Sequence, residues 1–140
     1  MRVVLDTNIL FSALISKNGP PARIFAAWRA SRFELVTCEI QFDEIRRVGR
    51  YPKFKASLPR HRVGRMVNQL RDALMVEGFT DFPDTADPND AWLLALAAGA
   101  RVDYLVTGDK RAGLLSRLAF GSTHIVTAVT FCRDVLRDSG

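Results

Sequence analysis

The sequence is poor in the residues that build disulfide or zinc frameworks. It has two cysteines and two histidines among 140 residues, and no group of them has the spacing of zinc ligands. Cys38 and Cys132 are therefore predicted to be free, buried thiols, as is usual in a reducing compartment. The glycine-rich loops GxxxxGK[ST] and GxGxxG are absent as well, which argues against the common nucleotide-binding sites.

Long apolar runs are also lacking. No stretch approaches the roughly 20 apolar residues of a transmembrane helix. The first residues indicate a strand rather than a basic and then apolar signal sequence, so we expect a cytoplasmic protein. Apolar residues make up 48% of the chain and charged residues 25%, as in a soluble domain with one core. No repeat or linker divides it, and residues 1–140 are predicted to form a single domain.

One stretch has no acidic residues. Residues 46–65 contain eight lysines or arginines and no Asp or Glu, in a chain with a net charge of +5. A solvated basic loop would explain this run. A surface that binds a phosphate backbone would explain it too, because Tyr51, Phe54 and His61 are interleaved as stacking residues. Five basic residues are candidate backbone contacts: Arg46, Arg47, Arg50, Lys53 and Lys55.

Short apolar strands alternate with helical patterns along the chain. This alternation predicts an α/β fold, with a parallel sheet between helices on both faces. Strands are predicted at residues 3–5, 33–37, 74–77, 102–106 and 124–126, although a helix is an alternative at 74–77. In the last helix, 127–136, we expect Val129, Cys132 and Leu136 to point inward.

Two acids follow predicted strands. Asp6 comes directly after Val3–Leu5, and Asp109 comes after the turn Thr107-Gly108 that ends a later strand. If these strands are parallel neighbours, both carboxylates lie at the same edge of the sheet. Two such carboxylates repel each other unless a cation lies between them. The alternative for Asp6 is a cap on the next helix.

A third acid, Asp90, belongs to the segment Asp87-Pro88-Asn89-Asp90 that starts a helix predicted at 91–100. This helix is apolar around its circumference, so we expect it to be buried, with Asp90 directed into the protein or a cleft. Asp87 fits the N-cap of the same helix, and Asp90 fits its third position, so capping is an alternative for both acids.

The fourth acid, Glu44, lies on the helix after the second strand. It shares a helix face with Ile40 and Val48, which suggests that its side chain points towards a cleft. The alternative is a solvent-exposed ion pair with Arg47, three residues later. Asp43 is a rival acid one residue away, and it would point about 100° from Glu44.

Together these acids form an all-oxygen donor set. Such sets suit Mg²⁺ or Mn²⁺, and an ion held in this way can activate water and stabilise charge on a phosphodiester. The segments Asp6-Thr7-Asn8, Glu44, Asp87-Pro88-Asn89-Asp90-Ala91 and Thr107-Gly108-Asp109, in this order, resemble the PIN-domain family. The resemblance covers nearly the whole chain and is strongest to small stand-alone prokaryotic proteins, which include VapC-like toxins.

The resemblance implies a Mg²⁺- or Mn²⁺-dependent ribonuclease with a five-stranded parallel sheet in the order 3-2-1-4-5. It also implies a homodimer, an RNA substrate and an antitoxin partner, but no membrane. Position by position, the metal-binding acids would be Asp6, Glu44, Asp90 and Asp109. Asn8 and Thr107 would orient these acids or bind water and phosphate, and Asp87 would be an additional acid.

Three other functions share some of these features. An aspartyl-phosphate phosphatase also has Asp-Thr at a strand end, but it usually has a second acid where this chain has Asn8. A receiver-like phospho-acceptor also uses an Asp at a strand end. A non-catalytic module that binds RNA or an antitoxin would keep the basic run and lose the metal, and the intact set of four acids argues against it.

Overall fold

The structure is a computed structural model that describes residues 1–52, 56–79, 82–85, 88–108, 117 and 119–137. These residues contain six strands: β1 (Arg2–Leu5), β2 (Glu34–Thr37), β3 (Leu74–Met75), β4 (Tyr104–Val106), β5 (Ala119–Phe120) and β6 (Thr123–Val126). Their helices are α1 (Thr7–Ile15), α2 (Pro20–Arg29), α3 (Glu39–Val48), α4 (Arg60–Leu70), α5 (Pro88–Gly99), α6 (Ala128–Thr130) and a π-helix (Phe131–Leu136).

The strands form one sheet in the order β3-β2-β1-β4-β6-β5. The first five of these strands are parallel, which confirms the predicted α/β class and the 3-2-1-4-5 order. The sixth, β5, was not predicted and pairs antiparallel with β6 at the edge. Gly121, with a φ of 60°, occupies the first position of the two-residue turn between β5 and β6, where a positive φ favours glycine.

Helices cover the sheet on both faces, and its central strands β1, β2 and β4 are buried on both sides. In β1, Val3 and Leu5 belong to one core cluster and Val4 belongs to the other, as the alternation of side chains along a strand requires. The first cluster also contains apolar residues of α1 to α4. The second is formed largely by α5, in which no residue from Trp92 to Ala97 is more than 5% exposed. The predicted burial of this helix is confirmed.

The C-terminal helix differs from the prediction. Cys132 and Leu136 are buried as expected, but Val129 is 57% exposed and Phe131 is fully buried. The prediction for Val129 was wrong, because the buried side of this segment runs through Ala128, Phe131 and Cys132 instead. Residues 131–136 are π-helical. A π-helix has a wider turn than an α-helix, so the 3.6-residue period does not describe which residues face inward.

The two thiols agree with the prediction. Cys38 and Cys132 are both free and buried, and burial raises the pKa of the Cys38 thiol above its ordinary value. In the part of the chain that the structure describes, no helix has both the length and the apolar character needed to cross a membrane.

Candidate active site

Asp6 lies where β1 ends and α1 begins. It is the N-cap residue of α1, and its Oδ1 accepts a hydrogen bond of 3.4 Å from the backbone N–H of Asn8. The carboxylate is nevertheless buried, with an exposed fraction of 6%. Asp6 therefore both caps α1 and lies buried at the carboxyl end of β1. These two roles were treated as alternatives in the sequence analysis, but they are compatible.

Thr107 supports the same carboxylate from the neighbouring strand. Its hydroxyl donates a hydrogen bond of 2.8 Å to Asp6 Oδ2, and Thr107 itself is fully buried. The contact exists because β1 and β4 are parallel neighbours, and the Asp6 N–H donates to the Val106 carbonyl at 2.9 Å. The ends of strands one and four therefore meet at the predicted edge.

Gln41 is a buried polar residue of α3 that sequence reasoning missed. Its amide nitrogen donates to the Leu5 carbonyl at 2.7 Å and to Thr7 Oγ1 at 3.4 Å. Its amide oxygen accepts a 2.6 Å hydrogen bond from the Thr37 hydroxyl. Gln41 thus joins α3 and the end of β2 to the two residues that flank Asp6.

Glu44 lies one turn beyond Gln41 on the same side of α3, because residues three apart share a helix face. Its side chain is only 13% exposed, and one carboxylate oxygen lies 3.8 Å from a guanidinium nitrogen of Arg47. The alternative ion pair is therefore present, but its acidic partner is largely buried rather than in water. The buried face of α3 is formed by Gln41, Phe42 and Ile45, whereas Ile40 is 37% exposed. The predicted apolar face through Ile40, Glu44 and Val48 was therefore misplaced.

The rival acid Asp43 points to solvent. Its side chain is 74% exposed and forms an ion pair of 3.1 Å with Arg46. Of the two neighbouring acids on α3, Glu44 is therefore the one directed towards the protein.

Asp90 lies in the first turn of α5 and is 5% exposed. The other end of this helix lies beside the start of β1, because the Arg2 side chain donates to the Ala100 carbonyl at 3.1 Å. A helix of 12 residues is about 18 Å long. Because α5 packs along the sheet against Val4 and Leu105, its first turn lies towards the carboxyl ends of the strands, where Asp6 is found.

Four of the predicted site residues are not among those that the structure describes. Asp87, Asp109, Lys53 and Lys55 lie outside the described residues. Within the described residues, no three acidic, histidine or cysteine side chains form a group that could hold a metal ion. The structure thus brings Asp6, Asn8 and Thr107 into direct contact and buries Asp90 and most of Glu44, while the fourth acid, Asp109, is outside the residues that it describes.

The predicted backbone contacts on α3 and just after it are exposed. Arg46 and Arg47 form the ion pairs with Asp43 and Glu44 already described, and Arg47 also donates to the Tyr51 hydroxyl at 2.7 Å. Arg50, which follows the helix, is exposed as well. These arginines remain accessible to a ligand.

Comparison with known proteins identifies the family. The family model described as PIN domain matches residues 2–111, a range that contains all four predicted acids. The chain belongs to the PIN-domain family. This membership indicates a nuclease function in general, and nucleic acid as the general class of ligand. Neither the curated proteins nor the solved structures contain a significant match to this PIN-domain chain.

Proposed function

We propose that this PIN-domain protein is a Mg²⁺- or Mn²⁺-dependent endoribonuclease that hydrolyses RNA phosphodiesters. The observation that carries the proposal is the environment of Asp6. This buried carboxylate is held by the Thr107 hydroxyl and the Asn8 N–H at the carboxyl end of β1. A buried acid fixed by hydrogen bonds at the carboxyl end of a parallel strand is typical of a functional site.

The donor set fits an ion that prefers oxygen ligands. The residues that would hold it are Asp6, Glu44, Asp90 and Asp109, and none of them is a thiolate or an imidazole. When bound, a divalent ion supplies an activated water and stabilises negative charge on the phosphodiester. The burial of Asp6 and Asp90 supports this role, because an ion would offset the cost of burying their charges.

Other residues of the chain bind and orient the reacting groups. Thr107 and Asn8 would fix the orientation of the Asp6 carboxylate, as hydrogen-bond partners of metal ligands do. Asp87 would be an additional acid of the site. The basic residues Arg46, Arg47, Arg50, Lys53 and Lys55 would bind the RNA backbone, which carries one negative charge per phosphate.

The biological setting is also part of the proposal. The resemblance to VapC-like proteins suggests that the chain is the cytoplasmic toxin of a toxin–antitoxin pair. It would form a homodimer that a cognate antitoxin holds inactive. The two buried free thiols are compatible with a reducing compartment. The gene beside this one should then encode a small protein that co-purifies with the chain and blocks its activity.

The direct test is cleavage of a mixed RNA pool by the purified protein with Mg²⁺, with Mn²⁺ and with EDTA. We expect cleavage with either ion and none with EDTA. Binding of RNA without cleavage under all three conditions would instead identify a non-catalytic module. Hydrolysis of a phosphate monoester, or labelling by a small phosphodonor, would favour the phosphatase or the receiver-like protein.

The Thr107 hydroxyl provides a second test. Thr107→Val removes the donor to Asp6 Oδ2, and we expect cleavage to fall by about 10- to 100-fold, as for lost partners of metal ligands. Thr123→Val is the matched control, because its buried hydroxyl donates to the Val102 carbonyl at 2.7 Å, at the other end of the sheet. Both variants should lose similar stability, but only Thr107→Val should lose activity. Equal activity of the two would contradict the role of Thr107.

A further inference from the structure

A pocket with a basic rim lies where the end of α3 meets the start of α4. Its volume is about 520 Å³, enough to admit part of a nucleotide chain. The pocket combines an apolar wall with three guanidinium groups, and the residues concerned are Ile45, Leu58, Val63, Arg46, Arg50 and Arg60. Arg60 was not among the residues that the sequence singled out.

The rim is positively charged. In the part of the chain that the structure describes, no acidic side chain lies within ion-pair distance of Arg50 or Arg60. Arg46 pairs with Asp43, but the two side chains are 53% and 74% exposed. An exposed pair of this kind contributes little to stability and is easily exchanged for another anion. The pocket can therefore offer three guanidinium groups to a ligand.

The pocket is close to the candidate active site. Its wall begins at Ile45, the residue after Glu44. Because an α-helix rises 1.5 Å per residue, Val48 at the end of α3 lies roughly 6 Å beyond Glu44, and Arg50 follows two residues later. A strand of RNA held at Glu44 would need only a short extension to reach the pocket.

We propose that this pocket binds the sugar–phosphate backbone of single-stranded RNA on one side of the scissile bond. The proposal rests on the proposed ribonuclease function and adds Arg60 to the substrate-binding residues. A planar guanidinium group can bind two oxygens of one phosphate in a bidentate manner. The apolar wall offers a surface for the ribose or the face of a base. An acidic peptide could bind the same arginines, but the place of the pocket on the helix of Glu44 favours the substrate.

The test compares two double variants of equal charge. Arg50→Gln with Arg60→Gln removes two arginines of the rim. Arg23→Gln with Arg71→Gln removes two exposed arginines of α2 and the end of α4, which do not line the pocket. All four arginines are exposed, so we expect both variants to fold, and their thermal unfolding and circular dichroism should match the wild type.

The first measurement is binding of a fluorescein-labelled oligouridylate in EDTA, where no cleavage occurs. We expect the pocket variant to bind at least about tenfold more weakly than the control variant, because hydrogen bonds between charged groups are lost. The dependence of log K on log salt should become shallower by about 1.4, since each phosphate contact on a single strand contributes about 0.7. The double variant Arg50→Lys with Arg60→Lys keeps the charge, and its affinity for the oligouridylate should lie between those of the pocket variant and the control variant.

The second measurement separates this proposal from the proposed function. With Mn²⁺, the pocket variant should show a raised KM for a long oligonucleotide, whereas the Arg23→Gln, Arg71→Gln control should keep the wild-type KM and rate. If the wild type binds RNA through these arginines but never cleaves, the ribonuclease proposal fails and the pocket proposal stands. If the pocket variant binds and cleaves the oligonucleotide like the control, the pocket proposal is overturned. It is overturned as well if the wild type binds oligoglutamate through the pocket but not RNA.

Discussion

Asp6→Asn is expected to abolish metal-dependent cleavage of RNA while leaving the fold intact. Asparagine caps helices as well as aspartate does, so the hydrogen bond from the Asn8 N–H can persist. The Thr107 hydroxyl can still pair with the new amide. What the substitution removes is the negative charge that would bind the ion, and the loss of several kcal/mol of charge stabilisation corresponds to about a thousandfold in rate or more. The measurement is the initial rate of cleavage of an RNA pool with Mn²⁺.

Asp43→Asn is the matched control for this experiment. It removes the same charge from an exposed acid, and its activity should stay within about twofold of the wild type. In EDTA, Asp6→Asn should be as stable as the wild type or more so, because repulsion between neighbouring carboxylates is reduced. A clear drop of the melting temperature in EDTA would show that Asp6 is mainly structural. Full activity of a clean Asp6→Asn preparation would count against the whole metal-dependent mechanism.

The sheet could be predicted because its determinants are local. Val3, Val4 and Leu5 form a strand by their own pattern, and all three are buried. The turn after each strand is also encoded locally, and this is why Asp6 and Thr107 could be placed at the carboxyl ends of two strands. Predicting the contact between Asp6 and Thr107 also required knowing that strands one and four are adjacent. The resemblance to the PIN family supplied this strand order.

The orientation of α3 could not be predicted from its own residues. Apolar residues occur at positions 40, 42, 45 and 48, so more than one helix face qualifies as the buried one. The choice depends on which elements pack against the helix, and this is decided by the tertiary fold. The face that contacts the core contains Gln41, Phe42 and Ile45. Gln41, its polar residue, could have identified this face but was not considered. A glutamine between apolar neighbours indicates that a buried partner exists.

Two other features depend on long-range structure. The strand β5 has only two residues, and it exists because β6 offers an edge for pairing. The π-helical turns at 131–136 carry the fully buried Phe131 ring, which packs edge-on against Phe33 and Tyr104 from the sheet region. Neither an edge strand of this length nor a change of helical period has a local sequence pattern.

Gln41→Leu is expected to destabilise the protein by about 2–4 kcal/mol. Leucine has a similar volume but cannot pair with the Leu5 carbonyl or the Thr37 hydroxyl, and each buried polar group left without a partner costs about 1–3 kcal/mol. For a domain of this size, the melting temperature should fall by roughly 4–16 °C. Thermal and urea unfolding of the metal-free protein measure the effect without any assumption about activity.

The control is Gln69→Leu, the same substitution on α4. The Gln69 side chain is only partly buried, so its replacement should change the stability by about 0.5 kcal/mol or less. A second variant, Thr37→Val combined with Gln41→Leu, replaces both partners of the 2.6 Å hydrogen bond and should recover part of the loss. Melting of Gln41→Leu within about a degree of the wild type would show that the network contributes little. The predicted drop would instead show that this amide fastens α3, the helix that carries Glu44, to the turn that carries Asp6.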